Sequence, residues 1–196
     1  QTALGCTDPI ANNYNSNATC DDGSCTYALT YVPDDNFETY LESNGMGNGI
    51  TNDDYVFTHN INTVTYLNVN SQSISDLTGI EDFIALSTLK FGWNQITSVN
   101  LSSNTALQML HCFNNQLTSL DLSNNTSIFQ LYCNHNQLTS LDVSSHTNLQ
   151  MLRCYNNQIG SLDLSNNIHL DYLKAQVNNL SSLDLRNGNN TNVWTY

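Results

Sequence analysis

The sequence contains few basic residues: four Lys and Arg stand against seventeen Asp and Glu, which gives a net charge of −13. Nucleic acids and anionic membrane surfaces both require a basic footprint, so we expect the protein to bind neither. No apolar run approaches the roughly 18 residues that cross a bilayer, so we expect no membrane insertion. About one residue in six is Asn, a composition that favours an extracellular surface over a cytosolic enzyme.

Catalytic constellations are also missing from the sequence. It contains no nucleophile elbow, no phosphate-cradling glycine loop and no isolated pair of carboxylates. None of the histidines shows the spacing of a known metal-ligand motif; they are His59, His111, His135, His146 and His169. We therefore expect that the protein is not an enzyme and that it carries no cofactor. Calcium is the one ion whose binding stays open.

The first residues carry neither an initiator methionine nor a targeting segment, because the chain begins Gln1-Thr2-Ala3. Such a start is typical of a mature terminus left by signal-peptide removal, which predicts a secreted protein or one on the outer cell surface. The boundary of an excised segment would give the same start, so both interpretations stay open.

An internal repeat of 21 residues organises the second two-thirds of the chain. Three columns keep this step: Asn94, Asn115, Asn136, Asn157 and Asn178; Leu89, Leu110, Leu131, Leu152, Leu173 and Trp194; and Phe91, Cys112, Cys133, Cys154, Ala175 and Tyr196. An earlier and less regular unit begins at Val64. The alternation of Leu110 and Cys112 predicts a short strand that buries every second side chain.

The unit pattern Leu-x-x-Leu-x-Cys-x-x-Asn-x-Leu, in residues 107–117, resembles the conserved segment of leucine-rich repeats, in which a strand leads into an Asn-stabilised turn. The second half copies the first in residues 117–125, and this doubled pattern is similar to the short bacterial subclass called IRREKO. The resemblance covers residues 64–196 and implies a mainly β, leucine-rich-repeat solenoid of parallel strands. Because both halves of the unit are extended, we expect low curvature. Stacking would place the Asn side chains in a ladder about 4.8 Å apart, each bonded to a neighbouring turn.

These patterns divide the chain into three segments. Residues 1–28 form a cysteine-stapled module, and residues 29–63 form an N-terminal cap with a short helix and a loop. Residues 64–196 form the solenoid, with about six and a half repeats and an incomplete last one. A cap is needed because the first strand would otherwise expose an unpaired edge.

The cap contains the signature of one short helix. Its apolar side chains form a single helical stripe: Phe37, Tyr40 and Leu41. Asp35 followed by Glu38 is a capping-box pattern that predicts the N-terminus, and Gly45 stands where the helix would end. The Gly- and Asn-rich residues 44–54 are expected to form a loop.

The first segment has three cysteines and little apolar material, so a disulfide or a metal ion must hold it together. Three cysteines allow one bridge and leave one over. The residues Gly5-Cys6-Thr7-Asp8-Pro9 and Asp21-Asp22-Gly23-Ser24-Cys25 resemble a short cysteine module of secreted proteins from flavobacteria and their relatives. Four-cysteine versions of that module have a Cys at the position of Asn12. The resemblance therefore implies a Cys6–Cys25 disulfide with Cys20 unpaired.

The same segment offers a candidate calcium site. Asp8, Asp21 and Asp22, with several Asn carbonyls, supply the oxygen ligands that calcium prefers. Their spacing does not follow an EF-hand loop, and Asp-Asp-Gly is also common in a plain turn. Both interpretations remain open.

Two further columns could be taken for metal sites. Cys112, Cys133 and Cys154 continue as Phe91 and Ala175, so we interpret them as apolar core positions with reduced, inert thiols. The acidic column Asp121, Asp142, Asp163 and Asp184, headed by Asn100, brings like charges together at about 4.8 Å. A bound cation or simple solvent screening would relieve the repulsion.

The outward positions of the predicted strands, which we call the strand face, carry the candidate binding residues. Three of the four Lys and Arg residues fall in one column, and aromatic and Met side chains crowd the adjacent ones. The candidates are Tyr66, Lys90, Trp93, Met109, His111, Phe113, Tyr132, His135, Met151, Arg153, Tyr155, Tyr172 and Lys174. The second half of each unit, which we call the opposite arm, instead repeats Ser, Asp, Ser and Asn. Binding hot spots favour Trp, Tyr and Arg, although drift among repeats is the alternative explanation.

These features predict an extracellular or cell-surface binding or adhesion module that recognises a protein or a polysaccharide through the strand face. The alternative is a structural spacer or a subunit of a larger surface assembly. It rests on Trp194 and Tyr196, which the unfinished last repeat would leave on an uncovered edge open to edge-to-edge contact. A natural chain that continues, for example to the type IX secretion sorting domain that such proteins often carry, would cover the same edge.

Overall fold

The structure is a computed structural model that describes residues 2–188 and the backbone of residues 194–195. Within these ranges there are two α-helices, α1 (Asp35–Ser43) and α2 (Thr58–Ile61), and a 3-10 turn at Ile80–Asp82. The strands are β1 (Leu29–Tyr31), β2 (Tyr55–Phe57), β3 (Tyr66–Asn68), β4 (Thr88–Lys90), β5 (Met109–His111), β6 (Gln130–Tyr132), β7 (Met151–Arg153), β8 (Ser161–Asp163), β9 (Tyr172–Lys174), β10 (Ser182–Asp184) and β11 (Trp194–Thr195).

Seven of the strands form one parallel sheet in the order β11-β9-β7-β6-β5-β4-β3. From β3 to β9, the central Leu of each strand lies opposite the central Leu of the next, through Leu67, Leu89, Leu110, Leu131, Leu152 and Leu173. All six are buried. Because side chains alternate along a strand, the residues on either side of each Leu point outward. The predicted mainly β solenoid of stacked parallel strands is confirmed.

The core of the solenoid runs continuously between the strands and the opposite arm. Ile96, Leu117, Leu138 and Ile159 close each coil behind the strand, and all four are fully buried. Burial of one such side chain contributes roughly 1.5–3 kcal/mol, so stability accumulates with each stacked coil.

The predicted Asn ladder is present and bonds each coil to the preceding one. Asn136 is typical: its Nδ2 donates to the carbonyl oxygens of Cys133 and Cys112, both at 3.0 Å, and its Oδ1 accepts the backbone N–H of Leu117 at 3.0 Å. The same pattern recurs at Asn115 and Asn157. The side chain thus replaces backbone hydrogen bonds that the turn cannot make for itself.

A second Asn ladder, which the sequence analysis missed, runs along the far turn of the coils. Its members are Asn104, Asn125, Asn167 and Asn187. Asn125, for example, donates from Nδ2 to the carbonyl oxygens of Leu101 and Asn104 at 3.0 and 2.9 Å. The register of this ladder passes through position 146, where a His stands instead of an Asn.

His146 therefore interrupts the second ladder. Its side chain is 1% exposed; the imidazole lies near the backbone of Val143, Leu122 and Asn125, but neither ring nitrogen makes a hydrogen bond of good geometry among the described residues. Burial lowers the pKa of this imidazole below its usual value. By the register of the ladder, an Asn here would face the carbonyl oxygens of Leu122 and Asn125.

We expect His146→Asn to stabilise the protein, because two amide hydrogen bonds of about 0.5–1.5 kcal/mol each would replace two poorly bonded nitrogens, while one Oδ1 atom would stay without a partner, as it does in Asn104, Asn125 and Asn167. The unfolded state takes up a proton on His146 more readily than the folded state, so the wild type loses stability as pH falls below 6.5 and the advantage of the variant widens. Thermal unfolding at two pH values measures both effects. The reverse change in the same ladder, Asn125→His, should destabilise; a His146→Asn variant less stable than the wild type would contradict the assignment.

The N-terminal cap is an antiparallel pair, β1 with β2, and helix α1. The capping-box prediction was wrong by one residue. Asp34, not Asp35, is the N-cap and accepts from the N–H groups of Asn36 and Phe37. Glu38 turns inward and accepts from the N–H groups of Asp53 and Asp54 instead of returning to the cap.

Helix α1 closes the first edge of the solenoid. Phe37 and Leu41 are fully buried, and the ring of Phe37 stacks near Phe83 at a centroid distance of 6.4 Å. The Tyr40 hydroxyl donates to the backbone oxygen of Asn68, in the end strand β3, at 2.8 Å. The helix ends at Ser43, and Asn44 is its C-cap. The segment boundaries at residues 28 and 63 stay a prediction.

The first segment has the expected disulfide between Cys6 and Cys25, with a Cα–Cα distance of 4.8 Å. Cys20 is free and exposed, and it forms a parallel bridge with Leu4 through the backbone. Cys6 and Ala11 are the buried apolar residues of this segment, so the disulfide provides much of its small interior.

The opposite arm is less regular than the predicted second row of strands. Among the described residues only β8 and β10 pair on this side. Along this arm an Asp or Asn oxygen accepts the N–H two residues further on, as Asp121 does from Ser123 and Asp142 from Ser144, both at 2.9 Å. The same turn follows β8 and β10, at Asp163 and Asp184. The low curvature inferred from an extended arm stays a prediction.

The final coil departs from the 21-residue step. The repeat predicts Trp194 opposite Leu173, but this was wrong: Trp194 lies opposite Tyr172, and Thr195 opposite Leu173. Asn187 likewise reaches Asn167 at an offset of 20 residues. The Ser-Asn-Asn of residues 123–125 and 165–167 is Arg-Asn-Gly at 186–188, and the step from Tyr172 to Trp194 is 22 residues instead of 21. The side chains of Trp194 and Tyr196, which were predicted to form the last edge, lie outside the described residues.

Candidate functional site

The strand face brings all thirteen predicted binding residues to one side of the main sheet. Each of them is exposed or partly exposed. The outward columns run through Tyr66, Thr88, Met109, Gln130, Met151 and Tyr172; Asn68, Lys90, His111, Tyr132, Arg153 and Lys174; and Asn70, Gly92, Phe113, Asn134, Tyr155 and Gln176. None of these residues is Asp or Glu. The expectation that all of them are open to solvent was wrong for Thr88, Gly92 and Asn134, which are buried.

The centre of the strand face is a continuous stack of rings and cations. His111 and Tyr132 stack face to face, with centroids 4.3 Å apart and an interplanar angle of 10°. The guanidinium of Arg153 lies 4.2 Å from the Tyr132 ring centre and 5.3 Å from that of Tyr172. The ammonium of Lys174 lies 5.8 Å from Tyr172. Contacts of this kind contribute about 0.5–2 kcal/mol each and fix the side chains before any partner arrives.

Positive charge is concentrated on this face of an otherwise acidic protein. Lys90 lies over the Tyr66 ring at 5.3 Å and completes the row with Arg153 and Lys174. The fourth basic residue, Arg186, is on the opposite arm and forms an ion pair with Asp184. The strand face is therefore locally basic although the net charge is −13.

His111 stays neutral within this row. Burial, with smaller contributions from the charges of Lys90 and Arg153, lowers its pKa to about 4. Its Nε2 lies 3.0 Å from Nε2 of Gln130. At neutral pH the ring therefore serves as an uncharged stacking partner and adds no further repulsion between its cationic neighbours.

A second group of aromatic side chains lies beside the stack, where the strands lead into the turns. It consists of Trp93, Phe113, His135 and Tyr155, and we call it the ledge. Trp93 meets Phe113 edge to face at 6.3 Å and 89°, and His135 meets Tyr155 at 5.1 Å and 76°. The Phe113 ring lies over the backbone of Gly92, where a Cβ atom would come within 2.7 Å of it. Gly92 thus allows the close approach that seats the ledge.

Two of the ledge residues, Trp93 and His135, occupy a left-handed backbone position. Six residues after the strands have positive φ between 53° and 59°: Ser71, Trp93, Asn114, His135, Asn156 and Val177. Asn tolerates this left-handed conformation, but Trp and the β-branched Val are unfavourable there. Trp93 is 61% exposed and Val177 is 68% exposed, so neither gains compensating burial. An exposed apolar side chain kept at a strained position suggests a functional contact.

Val177 was not among the predicted site residues. The signal that could have found it was present, since it follows Trp93 and His135 in the same 21-residue column. What the sequence does not give is the backbone conformation that makes a Val at this place unusual.

Solved structures share this architecture, although neither a protein-family model nor a curated protein matches the chain. The functional domain of InlJ from Listeria monocytogenes, described as including a cysteine ladder, matches with a TM-score of 0.55 and 28% identity over 87% of this chain and 47% of that one. The internalin InlF from Listeria monocytogenes matches with a TM-score of 0.68 and 25% identity over 78% and 49%. A leucine-rich-repeat protein of Leptospira interrogans gives 0.58 and 24% over 69% and 37%.

The fold is a leucine-rich-repeat solenoid. The chain spans less than half the length of each of these three structures. Like these leucine-rich-repeat scaffolds, it is not an enzyme. Among the described residues, neither helix has the length and apolar character that a bilayer crossing requires.

A cysteine column is part of this leucine-rich-repeat core. Cys112, Cys133 and Cys154 are fully buried and free, as the sequence predicts. Burial raises the pKa of Cys112 and of Cys154 to about 12 and that of Cys133 well above its usual value. Because the thiolate is the reactive form, these thiols are inert at neutral pH and serve as packing groups.

The candidate calcium ligands do not converge among the described residues. Asp8 accepts from the Tyr27 hydroxyl at 2.6 Å and from the N–H of Ile10. Asp21 and Asp22 each accept an N–H two residues further on, the geometry of the plain turn. In the described part of the chain, the acidic group with mutually close oxygens is instead Asp35, Glu38 and Asp54 in the cap. Calcium binding stays a prediction.

Proposed function

We propose that the chain is an extracellular or cell-surface module that binds a protein partner through its strand face. The observation that carries the proposal is the stack of His111, Tyr132, Arg153 and Tyr172, a pre-formed and partly exposed row of the residue types that dominate binding hot spots. Leucine-rich-repeat neighbours that include internalins support a role in binding.

The opposite arm provides an internal comparison, because it belongs to the same coils and obeys the same stacking constraints. Its acidic side chains are engaged in local turns, as Asp142 and Asp163 accept from Ser144 and Ser165 at 2.9 Å. Its outward positions repeat Ser, Asp and Asn. Random drift would diversify both sides equally, so variety confined to the strand face favours recognition there.

The geometry of the rings favours a protein over a polysaccharide. Sugars stack on open aromatic faces, but Tyr132 lies between His111 and Arg153, which come from the strands on either side. Both faces of this ring are therefore covered. The edges of the ring remain for a partner, together with the hydroxyl oxygen as an acceptor, since its O–H group donates to the Met151 sulfur at 3.6 Å. The exposed Met151 side chain lies beside it, and a flexible thioether suits a protein surface.

An extracellular location accords with the Cys6–Cys25 disulfide, since such bonds persist in oxidising compartments. A bacterial secretion route of the type IX kind stays a prediction. The alternative of a spacer or an edge-to-edge assembly depends on the side chains of Trp194 and Tyr196, which lie outside the described residues.

The test uses short random peptides displayed on phage and selected on the immobilised wild-type protein. Recovered peptides are then titrated against the double variant Tyr132→Ala, Tyr155→Ala. We expect binding at least about 100-fold weaker, since each aromatic hot spot contributes about 2 kcal/mol or more. Circular dichroism and a melting temperature above the assay temperature confirm that the variant is folded.

The matched control is Ser119→Ala with Ser140→Ala, two exposed positions of the opposite arm. It should bind every recovered peptide as the wild type does. If the selected peptides bind the Tyr132→Ala, Tyr155→Ala variant as well as the control, the strand face is not the binding site.

A further inference from the structure

Arg153 holds an unusual position at the centre of the strand face. Tyr132 of β6 covers its guanidinium from one side at 4.2 Å and Tyr172 of β9 from the other at 5.3 Å. Its Nε atom is shielded from solvent and has no hydrogen-bond partner among the described residues. Within the same residues Arg153 forms no ion pair with a carboxylate. A guanidinium has five N–H donors in one plane, and a buried donor without an acceptor is unfavourable.

The two tyrosines fix the plane of this guanidinium. Rings on both faces leave the N–H groups at its edge as the route of approach for an acceptor. A planar fork of this kind matches a carboxylate, which it binds through two parallel hydrogen bonds. The ordering of the long side chain has already been achieved in the free protein, so less conformational entropy is lost on binding.

The charge around Arg153 also selects for an anion. Lys90 and Lys174 belong to the same outward column, and none of the residues in the three outward columns is Asp or Glu. Acidic side chains are abundant elsewhere in the chain, seventeen against four basic ones. Because the outward columns contain no acidic residues, the strand face is positively charged. It is therefore electrostatically complementary to a negatively charged partner surface.

We propose that Arg153 is the anchor for an Asp or Glu side chain of the partner, and that the strand face therefore recognises an acidic protein segment. This inference rests on the proposed function and specifies the chemistry of its partner. Phe113, Met109 and Met151 flank the charged row, so the recognised segment combines a carboxylate with apolar neighbours. An acidic polysaccharide would offer the same carboxylate without the apolar groups, and its rings would find Tyr132 covered on both faces.

The test begins with the sequences of the peptides selected on the wild-type protein. We expect Asp and Glu to be enriched next to aromatic or aliphatic residues, although a protein of charge −13 repels acidic peptides in general. Recovered peptides should bind Arg153→Gln about tenfold to hundredfold more weakly, because a charge-assisted bidentate contact is lost. Arg153→Lys should recover only part of the affinity, since an ammonium group lacks the fork.

The matched control is Arg186→Gln, which removes the same charge from the opposite arm and should leave binding unchanged. Polygalacturonate, an acidic polysaccharide, is titrated in parallel and should not bind. Circular dichroism establishes that each variant is folded.

Each outcome decides one of the two proposals. Peptides that require Tyr132 and Tyr155 but lack acidic residues, or that bind Arg153→Gln as well as the wild type, overturn the carboxylate anchor and leave the proposed function standing. Polygalacturonate binding that depends on Arg153 also overturns it, in favour of an acidic glycan. If no recovered peptide depends on the strand face, both proposals fail.

Discussion

Replacing Asn136 by Ala should lower the free energy of unfolding by about 3–5 kcal/mol. Three hydrogen bonds at 3.0 Å disappear, to the carbonyl oxygens of Cys112 and Cys133 and from the N–H of Leu117. Each contributes about 0.5–1.5 kcal/mol net. The two carbonyl oxygens keep another Asn donor each, from Asn115 and Asn157. The N–H of Leu117 is left buried and unpaired, which adds about 1–3 kcal/mol.

Chemical denaturation of the wild type and the variant measures this difference. Asn124→Ala is the matched control, because Asn124 is exposed on the opposite arm and such substitutions usually change stability by less than about 0.5 kcal/mol. Equal losses for the two variants would show that the amide ladder does not hold the coils together.

Asp34→Ala is expected to cost a similar amount, about 3–5 kcal/mol. One carboxylate oxygen caps helix α1 through the N–H groups of Asn36 and Phe37. The other accepts from the N–H and hydroxyl of Ser75 at 2.8 Å and from the N–H of Asp76 at 3.1 Å. An N-cap contributes about 0.5–2 kcal/mol, and hydrogen bonds to a charged group are stronger than neutral ones. A single side chain thus joins the cap to the first coil.

The contribution of Asp34 should depend on pH. Burial by itself raises the pKa of this carboxyl, but hydrogen bonds from Ser75, Phe37 and Asp76 outweigh it, so the net pKa lies below the usual 3.8. A carboxyl whose pKa is depressed by folding stabilises the protein above about pH 3.8 and loses that effect as pH falls further. The difference between wild type and Asp34→Ala should therefore shrink in acid.

Asp35→Ala distinguishes the two adjacent candidates for the N-cap. Asp35 lies in the first turn of α1, where the helix dipole favours a carboxylate by about 0.3–1 kcal/mol, and the nearby carboxylates of Glu38 and Asp54 oppose this effect. In thermal or chemical unfolding, Asp34→Ala should lower the free energy of unfolding much more than Asp35→Ala does. The reverse order would restore Asp35 as the cap and contradict the contacts with Ser75.

The 21-residue step was sufficient to predict the parallel strands, the first Asn ladder and the buried cysteine column. It worked because each depends only on which residues stack in register. The strand face followed from the same step, since the residues on either side of Leu110 or Leu131 must point outward. The Cys6–Cys25 pairing came from a resemblance to known modules and not from the spacing of three cysteines.

Features that depend on tertiary contacts were not accessible in this way. Asp34 and Asp35 offer equivalent side chains to the helix, and the choice is decided by Ser75, some forty residues away. The column headed by Asn100 raised the alternatives of a bound cation and solvent screening, which stay open; the sequence did not reveal the local turns, in which one side-chain oxygen accepts the N–H two residues further on. The second Asn ladder and the strained position of Val177 required the path of the backbone itself.

The central claim is that recognition resides in the strand face, and its most direct test is the ratio of two dissociation constants for the same selected peptides. The dissociation constant of the double variant Tyr132→Ala, Tyr155→Ala is divided by that of the double variant Ser119→Ala, Ser140→Ala. A ratio of about 100 or more is predicted, since two aromatic anchors are removed from one surface and none from the other. A ratio near one, with both variants folded, would contradict the account.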